Sequence, residues 1–285
     1  MGAARQPHIG EAIMCVPGCQ ETVRLALSRR GFFEGVIAAG CGAAVASSTA
    51  QAAPLVGGRE VVDLTHTMSA DFPTFFGVPG IEMDKKFDFH KDGFNLYWWR
   101  IIEHAGTHLD APIHFSENAM SAEAIPVSTL VTPLAVLDVS SKAAQNPDYL
   151  LSPDDLAAWE KEHGRMPENC CVAMHSGWAR HVVEPAKFTG KDSSGVLHFP
   201  GFSLEAADWL MKERSVAGLA VDTLSLDHGP SKEFKVHYHW LPSGRWGLEN
   251  VANLDKVPRS GATLVVGLAK VKGATGGPAR LIALV

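Results

Sequence analysis

Three histidines and one aspartate fall within eleven residues of this chain: His104, His108, Asp110 and His114. Imidazole and carboxylate groups together suit a divalent ion such as zinc, manganese or iron. His108 and Asp110 are two residues apart, so in an extended segment both side chains point to the same face. Gly106 allows the backbone to bend, and Pro112 prevents a helix from running through. The segment is therefore restricted to a strand end or a rigid loop that converges on a metal.

His114, at the end of this segment, remains available for proton transfer. An imidazole whose pKa lies near ambient pH suits that role. The alternative interpretation is a histidine-rich surface loop. Four potential ligands that alternate with small residues and a proline favour the metal site.

Apolar runs alternate with helical patterns through the rest of the chain. The predicted strands cover residues 61–65, 95–102, 134–139, 171–174, 216–221, 262–268 and 279–285. Helices are predicted from Pro153, after an N-cap at Ser152, to near Gly164, and over residues 204–214. Residues 273–278 are interpreted as a flexible turn, and the strand over 95–102 leads directly into the histidine segment. This alternation predicts an α/β fold.

Composition excludes several classes of function. The net charge of −6 provides no basic footprint for nucleic acid. No uncharged apolar run of about 18 residues occurs in the body of the chain, so we expect no membrane span in the mature protein. At 285 residues, of which 46% are hydrophobic, the chain can bury a substantial core.

The first 53 residues have the features of an export leader. Ser28-Arg29-Arg30-Gly31 is a twin-arginine pattern, a short weakly apolar run follows it, and Ala50-Gln51-Ala52 resembles a signal-peptidase site. These features predict a leader over residues 1–53, one domain over residues 54–285 and a periplasmic location. The alternatives are an alanine-rich helix of a cytoplasmic protein and lipoprotein processing at Cys41.

A second group of potential ligands lies far along the chain, at His237, His239 and Glu249. A separate loop, residues 71–77, contains three phenylalanines and a proline. Those phenylalanines can form either a core plug or one wall of a pocket for a flat substrate.

The pattern from His104 to His114 resembles the signature of the metal-dependent cyclase family, which includes bacterial kynurenine formamidase and isatin hydrolase. Further segments resemble that family: Ser176-Gly177-Trp178, Phe199-Pro200-Gly201-Phe202, residues 221–227 and residues 273–280. His237, twelve residues before Glu249, is similar to its second ligand pair. The resemblance extends from about Val61 to the C-terminus.

This resemblance implies a swivelling β/β/α fold with a single mixed-sheet domain. It implies that His104, His108 and Asp110 bind the first metal, that Asp110 also reaches a second, and that His114 is the general acid/base. His237 would bind the second ion, with His239 as the competing candidate, and Glu249 would bridge both. Zinc or manganese is expected, as one ion or two, and family members are commonly dimers or larger.

The expected reaction is hydrolysis of an amide, because a bound divalent ion lowers the pKa of its water toward about 7 and polarises the carbonyl. In the formamidases a tryptophan of the first loop contacts the substrate, and Phe72 is the expected counterpart here. The change at Phe72 and the predicted export favour an aryl or cyclic amide, imide or lactone over kynurenine formamidase activity. Two alternatives remain, namely a periplasmic metal- or small-molecule-binding protein without turnover, and a cyclase or dehydratase.

Overall fold

Residues 55–285 are described by a computed structural model. The predicted leader over residues 1–53 lies outside these residues. Among the described residues, none of the helices has the length and apolar character needed to cross a lipid bilayer.

The described chain contains thirteen strands. They are β1 (Leu55–Val56), β2 (Arg59–Asp63), β3 (Ile81–Phe87), β4 (Leu96–Ile101), β5 (His108–Asp110), β6 (Val131–Asp138), β7 (Leu150–Leu151), β8 (Cys170–His175), β9 (Gly201–Phe202), β10 (Val216–Val221), β11 (Trp246–Glu249), β12 (Ala262–Leu268) and β13 (Gly276–Leu284).

Six helices lie between the strands of the described residues. They are α1 (Phe89–Asp92), α2 (Ser140–Ala143), α3 (Pro153–His163), α4 (Pro185–Thr189), α5 (Leu204–Glu213) and α6 (Lys235–Trp240). Single 3₁₀ turns cover Pro112–Phe115, Ala122–Ala124, Val127–Thr129, Trp178–His181, Leu241–Ser243 and Leu254–Lys256.

Nine strands form one mixed sheet in the order β1-β2-β13-β12-β6-β8-β10-β11-β5, and β13 also pairs with β5. That last pairing closes the strands from β13 to β5 into a ring. Strands β6, β8, β10 and β11 run parallel, whereas the other pairings are antiparallel. The mixed α/β fold predicted from the sequence is confirmed, and its sheet closes into a barrel.

Alternate residues of the barrel strands enter two separate cores. Leu109, Val136, Ala173, Leu248 and Leu281 belong to a cluster that draws on strands around the whole ring, so this cluster fills the barrel. Their neighbours in sequence on β6, β8 and β10 pack outward against α3, α5 and α6. Because these strands are buried on both faces, they are continuous apolar runs rather than alternating ones.

The predicted strand over 95–102 is confirmed as β4, which pairs with β3 in a hairpin separate from the barrel. One expectation differs from the structure. Residues predicted as a flexible turn, 273–278, include the start of β13, where Gly276 and Gly277 pair with β5. Two adjacent glycines resemble a turn signal, but here they allow two strands to approach closely.

Candidate metal centre

Strands β5 and β11 bring two carboxylates and one imidazole together. Glu249 pairs directly opposite His108, so the two side chains share a face, and Asp110 follows on the same face of β5. The Nε2 atom of His108 lies 3.2 Å from Oδ1 of Asp110 and 3.4 Å from Oε2 of Glu249. All three residues are buried. The two-residue spacing of His108 and Asp110 thus has the consequence expected from the sequence.

His104 reaches the same group from the loop before β5. Gly106 has a φ of 67°, a left-handed conformation that reverses the backbone between the two histidines. The Nδ1 atom of His104 then lies 2.6 Å from Oδ1 of Asp110.

His237 enters the cluster from helix α6. Its Nε2 atom lies 3.1 Å from Oε1 of Glu249 and 3.4 Å from Oδ2 of Asp110, and its Nδ1 atom lies 2.7 Å from Oδ2 of Asp227. His239 is half exposed and pairs with Asp208 at 3.1 Å. Of the two histidines that the sequence left as competitors, the structure brings His237 to the carboxylates and places His239 elsewhere.

The ligand atoms form two overlapping sets of three that share Asp110. One set is His104, His108 and Asp110, and the other is Asp110, His237 and Glu249. Within each set, the atoms lie within 4.8 Å of one another. The Nε2 atom of His108 and the Oδ2 atom of Asp110 are buried and have no hydrogen-bond partner among the described residues. Buried polar atoms without partners are costly, so their convergence fits a bound cation.

The electrostatics of the cluster favour positive charge. Burial alone would lower the pKa of His108, but the Asp110 and Glu249 carboxylates raise it to about 10. The same competition, with Asp110, Asp227 and Glu249 as the partners, raises the pKa of His237 well above its usual value. Burial would raise the pKa of Asp110, yet contacts with three histidines hold it well below its usual value. The carboxylates therefore stay ionised and demand compensation, by protons on the imidazoles or by a divalent cation.

His114 lies beside this cluster, in the 3₁₀ turn that begins at Pro112. Its ring stacks on the His104 ring with centroids 3.6 Å apart and an interplanar angle of 17°. Burial lowers the pKa of His114 to about 4, against a smaller opposing effect of Asp110. At neutral pH His114 is thus a neutral imidazole, and its pKa lies below the near-ambient value expected from the sequence for a general acid/base.

A cavity of about 140 Å³ opens above the cluster. His104, His114, His237 and Glu249 line its polar part. Its aromatic wall is built from Phe75, Phe76, Phe115 and Phe234. Apolar cavities of about 150 Å³ accept a benzene ring, so this one is large enough for a single aryl group.

Phe72, the predicted substrate contact, does not line this cavity. Its side chain is buried, with its ring centroid 5.8 Å from that of His66 and 6.2 Å from that of Phe188. Phe75, three residues later, lines the cavity instead and contacts Phe234 at 5.9 Å between centroids. Of the three phenylalanines in this loop, Phe72 is buried in the core, whereas Phe75 and Phe76 form part of the cavity wall.

Sequence reasoning also missed Phe115 and Phe234 as cavity residues. Phe115 follows His114 directly and was therefore within reach of the motif. Phe234 has a left-handed φ of 48° and precedes the helix that carries His237. Only its nearness to His237 in sequence could have indicated a place in the site.

Three candidate ligands around each position, at the floor of a cavity, resemble the arrangement of a catalytic metal site rather than a closed structural one. Comparisons with known proteins are also consistent with a catalytic rather than a structural site. The "Putative cyclase" family model matches residues 62–228. An isatin hydrolase from Roseibium aggregatum is 32% identical over 248 residues, which cover 81% of this chain and 94% of that protein.

The solved structure of isatin hydrolase A from Ralstonia solanacearum superposes with a TM-score of 0.76 at 33% identity, over 80% of this chain and 93% of that one. A kynurenine formamidase from Bordetella petrii is 26% identical over 225 residues, or 79% of this chain and 97% of that protein. This chain belongs to the cyclase family.

Proposed function

We propose that this protein is a metal-dependent hydrolase that opens an amide or related acyl bond in a small molecule, namely an aryl formamide, a cyclic amide or imide, or a lactone. The observation that carries the proposal is the cluster of three imidazoles and two carboxylates at the floor of an aromatic-walled cavity. The similarity to isatin hydrolases and kynurenine formamidases supports an amide substrate.

His104, His108 and Asp110 would hold one divalent cation, and Asp110, His237 and Glu249 a second. Such an ion supplies Lewis acidity, which polarises the carbonyl and makes water nucleophilic near neutral pH. The mixed imidazole and carboxylate donors suit zinc or manganese. Asp110 belongs to both sets. It would therefore be a ligand of both ions where two are bound, and a ligand of a single ion at either position.

His114 is the residue that would move the proton. It is neutral at pH 7, partly exposed to the cavity and positioned beside the His104 ring. Its imidazole accepts a proton from the attacking water and returns it to the leaving nitrogen, because an amide nitrogen leaves poorly unless protonated. A protein that only binds a ligand gains nothing from such a group.

The aromatic wall would select the substrate. Phe75 and Phe234 present ring faces or edges to the cavity, where an aryl group can pack and exclude water. We expect Phe75→Leu to raise KM for an aryl substrate roughly threefold to tenfold, since an aromatic contact contributes about 0.5–1.5 kcal/mol. Val78→Ala is the control, because Val78 is exposed and does not line this cavity.

The decisive experiment is a metal analysis followed by a substrate screen. The protein loaded with zinc or manganese is incubated with N-formyl anilines, isatins and aryl lactones, and ring opening or formate release is measured. Turnover that depends on added metal supports the proposal. Full metal occupancy without turnover of any compound favours a binding protein, and water loss or ring closure in place of hydrolysis favours a dehydratase or cyclase.

We further propose that residues 1–53 form a twin-arginine export leader and that residues 54–285 act in the periplasm. The Arg29-Arg30 pair and the Ala50-Gln51-Ala52 site support this proposal. Replacing both arginines by lysine should retain an active enzyme in the cytoplasm, as measured by fractionation. Unchanged secretion of the double variant would contradict it.

A homo-oligomer, dimer or larger, is proposed from the hairpin β3–β4. This hairpin pairs with no other described strand, and it exposes Met83, Tyr97, Trp98, Trp99 and Ile101. An isolated hairpin is marginally stable in water, and large exposed apolar patches mark interfaces. Light scattering should report a dimer or larger for the parent protein and a lower mass for Trp99→Glu; a monomeric parent would overturn the proposal.

A further inference from the structure

A short hydrogen-bond chain leads away from the metal centre through a residue that the motif does not contain. Thr275 lies just before β13, and its hydroxyl is 2.8 Å from Nε2 of His104. The same hydroxyl is 2.5 Å from Oε2 of Glu103, which also accepts a hydrogen bond from the Thr275 backbone N–H at 3.2 Å. Glu103 and Thr275 thus contact each other twice, and together they contact the outer nitrogen of His104.

The direction of each hydrogen bond follows from counting protons. An ionised carboxylate only accepts, so the single proton of the Thr275 hydroxyl is directed to Glu103. The hydroxyl oxygen then has only lone pairs left for His104, so Nε2 of His104 has to carry a proton and donate it. The other ring nitrogen, Nδ1, faces Oδ1 of Asp110 at 2.6 Å. It donates to that oxygen while the ring carries a second proton, and it presents a lone pair once that proton leaves.

A divalent cation held by His104, His108 and Asp110 would take the place of that second proton, because a histidine binds a metal through the lone pair of a neutral ring. The hydrogen-bond chain thus prepares His104 for metal binding through one particular nitrogen.

His104 differs in this respect from the other two imidazoles of the cluster. The Nδ1 atom of His108 donates to the Gly106 carbonyl at 2.9 Å, and the Nδ1 atom of His237 donates to Asp227 at 2.7 Å. Both of those residues present Nε2 to the cluster, whereas His104 presents Nδ1.

We propose that Glu103 and Thr275 are positioning residues that fix the proton of His104 on Nε2, so that His104 binds the cation through Nδ1. The proposal rests on the metal site proposed above. Backbone contacts make the chain rigid, because the Ala111 N–H donates to the Thr275 carbonyl at 2.9 Å across the closure of the barrel. The orientation of His104 also sets the place of His114, whose ring stacks on it.

The expected loss of metal affinity follows from the effect of comparable hydrogen-bond partners in other metal sites. Loss of a hydrogen-bond partner of a metal-binding histidine typically costs roughly 10–100-fold in metal affinity or activity. Thr275→Val has nearly the same shape and lacks the hydroxyl, so it should weaken zinc affinity by roughly that factor. Thr275→Ser retains the hydroxyl and should bind zinc like the parent.

The experiment has two readouts that do not depend on activity. Zinc affinity of the parent, Thr275→Val and Thr275→Ser is measured by competition with a chromogenic chelator. Long-range ¹H–¹⁵N NMR of the zinc-loaded protein then identifies which nitrogen of His104 carries the proton, with His104→Gln used for assignment. The expected results are a proton on Nε2 and a loss of affinity in Thr275→Val that Thr275→Ser restores.

Two results would overturn the proposal, namely a proton on Nδ1 of His104, or parent-like affinity in Thr275→Val. Glu103→Gln provides an independent check should Thr275→Val fold poorly, because the weaker acceptor releases the hydroxyl proton. Its zinc affinity should then fall as in Thr275→Val, and parent-like affinity in Glu103→Gln would count against Glu103. A parent protein that binds no zinc at all would instead contradict the metal site itself, so the two failures are distinguishable.

Discussion

Asp110 contacts all three histidines that could bind metal in this centre. Its carboxylate lies within 3.4 Å of His104, His108 and His237, and it belongs to both ligand sets. No other residue of the cluster contacts all three imidazoles. The backbone at this position is held equally closely, because Asp110 pairs with Gly247 on one side and Gly276 on the other. Asp110 is therefore held rigidly by its two neighbouring strands, whereas His104 reaches it from a loop and His237 from a helix.

His237 and His239 provide a matched pair of variants. Both are histidines of helix α6, but only His237 faces the carboxylates, and its Nδ1 atom is bonded to Asp227. We expect His237→Ala to lose one metal equivalent or at least tenfold in affinity, since a ligand atom is removed. His239→Ala should bind metal like the parent, as measured by elemental analysis after dialysis. Equal metal loss in the two variants would contradict this assignment.

His114 should separate metal binding from turnover. We expect His114→Ala to retain the parent metal content while kcat falls by roughly 10²–10⁴, the usual contribution of a general acid or base. His114→Asn is a useful companion, because it retains a planar polar group against the His104 ring but cannot transfer the proton. Metal content is measured beside steady-state kinetics. A drop in metal content in both variants would mean that His114 is a ligand.

At the scale of elements, the close approach of β13 to β5 both shapes the site and closes the barrel. A Cβ atom on Gly276 would lie 2.7 Å from Cε1 of His104 and would clash with the Leu109 carbonyl oxygen. A Cβ atom on Gly277 would meet only the end of the Leu268 side chain, at 3.4 Å. The two glycines are neighbours in one strand, yet only the first one faces the metal centre.

Gly276→Ala should therefore displace His104 or separate the two strands. We expect a loss of about 1–3 kcal/mol in the free energy of unfolding, as is typical of overpacking, together with weaker metal binding. Gly277→Ala should leave metal binding unchanged and cost less stability. Denaturant titrations and zinc competition measure the two effects. Parent-like behaviour of Gly276→Ala in both assays would refute the close approach.

The parts of the fold and of the site that could be predicted are those encoded by neighbouring residues in the sequence. Strands β10 and β12 match their predicted bounds, because each is a continuous apolar run in the sequence, although only β10 is buried on both faces. The ring closure could not be predicted, since β5 is only three residues long and its partner β13 begins with a glycine pair. Within the site, the spacing of His108 and Asp110 was informative. Thr275, 171 residues from His104, carried no local signal.

At the scale of the whole molecule, the barrel concentrates negative charge in one buried cluster. The Asp110, Glu249 and Asp227 carboxylates are buried within one cluster, and no Lys or Arg pairs with them among the described residues. Their compensation comes from the imidazoles, whose own pKa values burial would lower. Burying these carboxylates therefore costs free energy of folding unless a cation compensates their charge. The free energy of unfolding should accordingly rise when metal binds.

Removing metal should lower the melting temperature of the whole barrel. A ligand at 100 times its Kd stabilises the folded state by about 2.7 kcal/mol. For a domain of this size that corresponds to a shift of roughly 5–10 °C. We expect chelator treatment to lower the melting temperature by this amount, and zinc or manganese to restore it. Asp110→Asn should show no shift with either treatment, because both ligand sets lose their shared carboxylate. An equal shift in Asp110→Asn and the parent would place the stabilising ion somewhere other than this cluster.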